Sequence, residues 1–453
     1  MPATDSQKIS LVPGSIRRIT GEGDLGDVLR GAGTMLFIRL IATGIAYVSI
    51  LALARWMGAA EYGAFAYAFA WINFLALPAG LGIPAASVRF LSEYSAAGST
   101  SYIRGLLLRG VSLTVITSIA IAIAAIAIVL FDSNRIPSAY LAPLTIGIAG
   151  LPVIALFILG SQVGRAFGWV AAAYSPMQIW HPLLLLAFAG VVVGLRTPLV
   201  ASTMVLASLA IAAICCVVQG TIYVRRLKPR LRNIPALYDQ RRWLRVSFPL
   251  LLIDGFNALI SYSDILMVGL FVGPAAVAFY TAASRTAALV GSVYGSINAL
   301  SGPRMAELYA QGRTKELQNL LSGIAPWIIA PPTIAALILA VAGPFLLRLF
   351  GPGFEVAWPA LVLLSFANLF NSVTGPSGLL LNMTGHQDTS ARVLGIAAVG
   401  NVVLNVFFIP RFGLNGAAFA TTIAIVASNI ALVIIAQRKT GIRTFILPFH
   451  WHR

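Results

Sequence analysis

The chain has 453 residues, of which 58% are hydrophobic and only 10% are charged. A soluble domain usually has about a quarter of its residues charged, so this composition excludes a water-soluble globular protein and indicates many membrane-spanning segments. The net charge of +17 does not indicate a nucleic-acid partner, because the basic residues lie in short segments between apolar runs, without a basic-aromatic patch.

Twelve apolar runs are each long enough to cross about 30 Å of hydrocarbon as a helix. They predict an all-α polytopic membrane protein with about 12 transmembrane helices. In chain order, the predicted limits are 33–57, 62–85, 106–131, 138–162, 169–194, 198–223, 247–272, 275–300, 322–350, 357–382, 393–410 and 414–436.

The segments between these runs divide the chain into two lobes of six predicted helices each, residues 31–223 and 247–437. A basic cytoplasmic linker is predicted over 224–246, an N-terminal tail over 1–30 and a C-terminal tail over 438–453. Of the 31 Lys and Arg residues, 24 lie on the side that carries both termini and five on the opposite side. The positive-inside rule therefore places both termini in the cytoplasm.

The two lobes repeat each other in sequence when the first is shifted by 215 positions. Six spans in each half give both halves the same orientation, so the repeat is of the parallel type. Transporters built in this way bind substrate between the halves and alternate access by rocking them. The matched pairs are Tyr47 and Tyr262, Gly58 and Gly273, Gly80 and Gly295, Arg89 and Arg304, and Tyr94 and Tyr309.

Signals for catalysis and cofactor binding are missing from the sequence. There is no G-x-x-x-x-G-K-[ST] phosphate loop, and no predicted external loop is large enough to house a catalytic site. Cys215 and Cys216 are adjacent in an apolar run, a spacing that suits neither a disulfide nor a metal site. We expect a protein that is not an enzyme and that has no cofactor and no metal.

Among the charges that fall within the membrane, four stand out: Arg39, Asp254, Asp264 and Arg285. Such residues are costly in a membrane and are functional candidates by default. Asp264 and Arg285 lie at similar depths on neighbouring predicted helices, and are therefore placed to pair. Arg39 and Asp254 occupy equivalent positions in the two halves.

Two interpretations of these charges remain open. In the structural one, Asp264 and Arg285 form an ion pair that holds helices together, and Arg39 extends to the cytoplasmic headgroups. In the functional one, Arg39 and Arg285 bind an anionic headgroup, for which the planar, permanently charged guanidinium is well suited. Asp254 and Asp264 would then tune the arginines or carry a coupling cation or proton.

The chain resembles the polysaccharide-transporter branch of the multidrug/oligosaccharidyl-lipid/polysaccharide exporter superfamily, which includes the O-antigen-type flippases. The resemblance covers about residues 30–440 and is carried by "LALARWMGAAEYGAFAYAFA", "SVRFLSEYSAAG", "DILMVGLFVGPAAVAFYTAASR" and "FGLNGAAFATTIA". It implies a two-lobed bacterial inner-membrane protein that flips a polyprenyl-diphosphate-linked oligosaccharide. It also implies that Arg39 and Arg285 face a substrate cavity.

The partners that follow from this resemblance are the lipid-linked oligosaccharide and membrane lipids, with a glycan polymerase or glycosyltransferases as candidate protein partners. The main alternative function is a cation- or proton-coupled exporter of drugs or organic cations, which would favour carboxylates in its cavity. A membrane enzyme such as a glycan ligase or polymerase is disfavoured by the short loops. A scaffold without transport activity is the remaining class.

Overall fold

The computed structural model describes residues 24–232 and 234–445; of residues 24–41, Val170, Ala299 and Leu300 only the backbone is described. These ranges contain helices and short connections and no strand. The helices are α1 (Asp24–Ala79), α2 (Ile83–Ala96), α3 (Thr100–Phe131), α4 (Ser138–Ala149), α5 (Leu151–Ala166), α6 (Val170–Ser175), α7 (His181–Gly194), α8 (Ala201–Leu231), α9 (Gln240–Phe271), α10 (Pro274–Ala310), α11 (Thr314–Arg348), α12 (Trp358–Val373), α13 (Ser377–Met383) and α14 (Gln387–Thr440).

Within the described residues, eight helices are long and apolar enough to cross a membrane, and nine if the bent pair α4 and α5 is one span. Two of these helices each contain two predicted spans, since α1 leaves helical geometry at Gly58 and α14 at Gly413. Helix α10 adds a further segment of 37 residues, although its composition is less apolar. Counting these segments separately gives the twelve predicted spans and confirms the all-helical, polytopic fold.

The sequence repeat has a counterpart in the backbone. Gly58 and Gly273 both form tight helix-to-helix turns, with φ of 77° and 118° and an extended ψ that side chains rarely permit. The turns at Gly98 and Gly312 also share their hydrogen bonds: the next residue donates to the carbonyl five positions earlier, at 2.9 Å in both turns. The first two turns are 215 positions apart and the second two are 214 apart, so the two halves keep similar turns at or within one position of the repeat.

The second span of each half differs. In the first half, the helix stops at Ala79 and restarts at Ile83, with Leu81 and Gly82 at positive φ. A side chain at Gly82 would meet the Ser247 carbonyl oxygen at 2.2 Å. In the second half, the corresponding part of α10 runs without interruption. The glycine therefore allows the broken span to approach α9 closely.

The basic linker predicted over 224–246 is largely helical. Helix α8 continues to Leu231, eight residues beyond the predicted end of its span, and α9 already begins at Gln240. Lys, Arg, Gln and Leu are good helix formers, and cations stabilise the C-terminal end of a helix. A limit based on hydropathy marks the end of the apolar residues, whereas the helix continues into the basic residues that follow. The predicted end of α8 is therefore too early.

The chain forms two compact units. Among the described residues, one unit contains 24–49 and 71–255, with Phe90, Leu91 and Ile103 in its core. The other contains 50–70 and 256–445, with Met305 and Leu317 in its core. The unit boundaries thus differ from the predicted lobes, which remain a prediction, in assigning residues 50–70 to the second unit and residues 247–255 to the first.

Residues 50–70 lie in the second unit because they pack tightly against its helices. A side chain at Gly63 would meet the Pro274 carbonyl oxygen at 1.8 Å, and one at Gly269 would meet the Tyr67 ring at 2.3 Å. Arg55 donates to the Leu349 carbonyl oxygen at 3.3 Å. Such close backbone approaches through glycine are typical of helix packing in membranes.

Candidate functional site

Asp264 lies at the centre of a buried polar cluster in the second unit. Its side chain is on α9, about 10 Å before the end of the helix, and only 5% of the residue is exposed. One carboxylate oxygen, Oδ2, accepts hydrogen bonds from the Tyr280 hydroxyl at 2.6 Å and the Thr421 hydroxyl at 2.5 Å. The other oxygen accepts one from the Asn405 amide at 2.7 Å. Three donors therefore satisfy the oxygens of this carboxyl group away from water.

Two asparagines on α14 extend this cluster. Asn401 donates to the Thr421 hydroxyl at 2.9 Å and accepts hydrogen bonds from Ser263 and Asn405. Both asparagines are fully buried, and the Asn405 Oδ1 atom has no hydrogen-bond partner. The cluster thus presents several oxygen atoms around one carboxylate. Oxygen ligands of this kind suit a proton or a hard cation.

Arg285 does not pair with Asp264. Its residue is exposed, about 16 Å from the start of α10, and none of the four ion pairs among the described residues includes it. Its guanidinium lies close enough to Tyr62 and Tyr262 to interact electrostatically with both phenol groups. The ion pair of the structural interpretation is therefore not formed, because Asp264 bonds with neutral donors instead and leaves the cation unneutralised.

The other two candidates belong to the first unit. Asp254 is half-buried on α9, and no hydrogen bond or ion pair joins it to the described side chains. The backbone of Arg39 is part of α1, whereas its side chain lies outside the described residues. That Arg39 and Asp254 occupy equivalent positions in the two halves therefore stays a prediction.

The sequence analysis missed the neutral half of the Asp264 cluster. Asn401 and Asn405 are four residues apart in an otherwise apolar stretch, "GNVVLNVFFIP", which places both on one face of a helix. Thr421 and Tyr280 carry no comparable signal, since single hydroxyl residues are common in membrane spans. Two asparagines four residues apart in a predicted transmembrane segment are therefore the sequence signal that could have indicated a buried polar cluster.

Comparison with models of known protein families identifies the family of this chain. The model of the family described as polysaccharide biosynthesis protein matches residues 28–309, more than half of the chain. The chain belongs to this family. The MatE model matches residues 249–410, which contain Asp264 and Arg285. Both matches confirm the resemblance to the exporter superfamily.

Curated relatives of this family member are distant. The probable low-salt glycan biosynthesis flippase Agl15 of Haloferax volcanii is 23% identical over 425 residues, which cover 89% of this chain and 82% of that protein. The uncharacterized membrane protein MJ1068 of Methanocaldococcus jannaschii is 26% identical over 219 residues, 47% of this chain and 43% of that protein. This family member thus spans less than half of MJ1068.

Solved structures show the fold of this family member. An inward-facing MATE family multidrug resistance transporter of the MOP superfamily aligns with a TM-score of 0.72 at 14% identity, covering 90% of this chain and 98% of that one. The lipid II flippase MurJ, in an inward closed conformation, aligns with a TM-score of 0.69 at 15% identity, covering 89% and 87%. The chain is thus a multi-pass membrane protein with a two-lobed transporter fold.

Proposed function

We propose that the protein is a flippase that moves a polyprenyl-diphosphate-linked oligosaccharide across the bacterial inner membrane by alternating access, without catalysing a reaction. Membership of the polysaccharide biosynthesis protein family supports this function, as do the names of relatives such as Agl15. The cytoplasmic location of both termini rests on the distribution of Lys and Arg.

The observation that carries the proposal is the exposed, unneutralised Arg285. A cation inside a membrane span is costly unless it faces water or a ligand. Its helix, α10, carries further polar side chains within the predicted span, and Ser292 lies two turns further along the same face. A guanidinium in this setting suits a diphosphate, to which it donates two parallel hydrogen bonds. Arg39 is the proposed second phosphate ligand.

The experiment measures flipping of a lipid-linked oligosaccharide in proteoliposomes. Arg285→Ala should reduce the flipping rate at least tenfold. Arg285→Lys should restore it only in part, because a lysine ammonium group keeps the charge but cannot donate the two parallel hydrogen bonds of a guanidinium. The matched control is Arg304→Ala, on the same helix, where an exposed ion pair with Glu307 contributes little. Normal flipping by both Arg285 variants would overturn the assignment.

We further propose that Asp264 carries the coupling proton or cation. The buried carboxylate, the amide oxygen of Asn401 and the unpartnered Asn405 Oδ1 atom support this role, since they offer oxygen ligands within one cluster. Asp254 is the second candidate, since it has no described partner.

Asp264→Asn tests the coupling role, because it removes the charge with little change of shape. Transport should become independent of an imposed proton or sodium gradient, while the thermal unfolding temperature changes little. Gradient-driven transport at the wild-type rate in this variant would limit Asp264 to a structural role. Efflux of cationic dyes without flipping of the glycan lipid would instead support the drug-exporter alternative, which the MatE match favours.

A further inference from the structure

A cavity of about 690 Å³ lies within the first unit, between α3, α5 and α8. Along α8 its wall consists of Cys216, Gly220, Tyr223, Val224 and Leu227, whose spacing of three to four places them on one helix face. Most of the lining is apolar, and it includes the exposed side chains of Leu108, Val111 and Val224. Within a membrane, such a cavity is open to hydrocarbon chains.

One end of this α3–α5–α8 cavity is basic. Lys228 and Arg232 are exposed, are four residues apart, and continue the same face of α8 beyond its apolar part. Arg104, on α3, donates to the carbonyl oxygens of Leu231, Arg232 and Ile234, and so holds α3 against the end of α8. Neither Lys228 nor Arg232 belongs to an ion pair of the described residues. Their charges are therefore available to an anion.

Between the basic end and the apolar part lies Tyr223, which is 7% exposed. Its hydroxyl donates no hydrogen bond, and the amide of the nearby Gln219 donates to the Ala172 carbonyl oxygen at 2.8 Å. Tyr223 is about 7 Å from Lys228 along the helix. A buried hydroxyl that donates no hydrogen bond is costly, so a ligand that accepts its hydrogen bond would stabilise the site.

We propose that the α3–α5–α8 cavity binds one anionic phospholipid of the surrounding membrane. The phosphate lies at Lys228 and Arg232, an ester carbonyl accepts from Tyr223, and an acyl chain extends past Gly220 towards Cys216. The distance along α8 from Arg232 to Cys216 is about 24 Å, close to one leaflet of a bilayer that is roughly 40–45 Å thick with its headgroups. The order of basic, polar and apolar side chains thus matches the order of groups in a phospholipid.

The charge of the site selects the lipid. Basic side chains near the membrane surface attract anionic lipids by about 1 kcal/mol each. The positive-inside rule places Lys228 and Arg232 on the cytoplasmic side, where anionic headgroups face them. A zwitterionic lipid has the same acyl chains but no net charge to attract it to Lys228 and Arg232, so it should bind more weakly.

The experiment counts bound lipids on the purified full chain by native mass spectrometry, with dioleoylphosphatidylglycerol or dioleoylphosphatidylcholine as the probe. The wild-type protein should keep one phosphatidylglycerol and bind it at least tenfold more tightly than phosphatidylcholine. The double variant Lys228→Gln/Arg232→Gln should weaken phosphatidylglycerol binding roughly 30-fold. The matched control, Arg225→Gln/Arg230→Gln, removes two charges from the same helix outside the cavity and should bind normally.

A second variant fills the cavity and leaves its charges unchanged. A side chain at Gly220 meets no atom within 4 Å, so Gly220→Leu should fold and exclude the acyl chain. Gly323→Leu is its control, in α11, where the space around the glycine is also open.

Equal loss of lipid in both double variants would overturn the proposal in favour of a diffuse electrostatic effect. Undecaprenyl phosphate that displaces phosphatidylglycerol from the wild type but not from the Gly220 variant would assign the cavity to the transported lipid instead. Because the readout is binding, a failed flipping assay leaves this result unaffected.

Discussion

Ser49 and Asp264 are 215 positions apart, occupy equivalent places in the two halves, and show how the halves diverged. Both are buried, with 3% and 5% of the residue exposed. Ser49 donates to the carbonyl oxygens of Ile45 and Pro182, at 2.8 and 3.4 Å. Asp264, by contrast, only accepts. The first half surrounds this position with acceptors and the second with donors, so only the second can hold an anion.

The neighbouring helices repeat this difference. In the first half, the His181 Nε2 atom lies 2.8 Å from the Ser208 hydroxyl, which makes a neutral buried pair. In the second half, Thr421, which lies two positions before the 215-position equivalent of Ser208, donates to Asp264. The duplicated turns kept their geometry, whereas the buried polar groups did not. The comparison indicates that the two halves share turns but differ in their buried polar groups.

The largest effect should follow from Asp264→Ala. It leaves the buried hydroxyls of Tyr280 and Thr421 without this acceptor and removes one of the two acceptors of the Asn405 amide, at a cost of roughly 3–5 kcal/mol. Thermal unfolding in detergent measures it. Ser49→Ala is the matched change in the first half and should cost about 1 kcal/mol, because it removes a donor and leaves only carbonyl oxygens. Equal losses in the two variants would contradict the asymmetry.

An intermediate effect is expected for Gly82→Ala, which tests the break that only the first half contains. The positive φ of 70° disfavours a side chain, and the new Cβ atom would meet the Ser247 carbonyl oxygen. We expect a loss of about 2–3 kcal/mol. The reference is Gly295→Ala in the uninterrupted α10, where alanine should be neutral or stabilising. Thermal unfolding of both variants is the measurement, and a destabilised Gly295 variant would mean that α10 also needs flexibility there.

The smallest effects should come from Gly58→Ala and Gly273→Ala, where the halves agree. At both glycines an added Cβ atom would have no neighbouring atom within 4 Å, so the cost is backbone strain alone. Each substitution should cost about 2 kcal/mol, and the two values should be similar. Unfolding temperatures that differ by more than the experimental error would show that one turn has relaxed and that the repeat is less regular than it looks.

The sequence predicts the helices well because hydropathy and span length are strong, local signals. It places the turns at Gly58 and Gly273, and the repeat relates them. The ends of helices are predicted less well, as the extension of α8 to Leu231 illustrates. There, helix propensity continues after hydrophobicity has ended.

The site is predicted less completely than the fold. Charged residues in a span are conspicuous, so Asp264 and Arg285 could be singled out from the sequence. Which partner each one finds depends on side-chain direction and on helices far apart in the chain. Asp264 therefore bonds with Tyr280, Asn405 and Thr421, whereas pairing by depth alone suggested Arg285.

The brevity of the connections on the predicted outer side has a practical consequence. Between described α-helices the longest of them, residues 349–357, has nine residues and includes the short 3-10 helix Phe354–Ala357; residues 132–137 and 195–200 have six each, and the turns at Gly58 and Gly413 have almost none. A cell-surface protease, antibody or phage would meet very little polypeptide there. Epitope tags inserted into these turns would disturb the helical hairpins themselves. Single-cysteine labelling at Arg135 or Thr197, after replacement of Cys215 and Cys216, is therefore the gentler way to determine the topology.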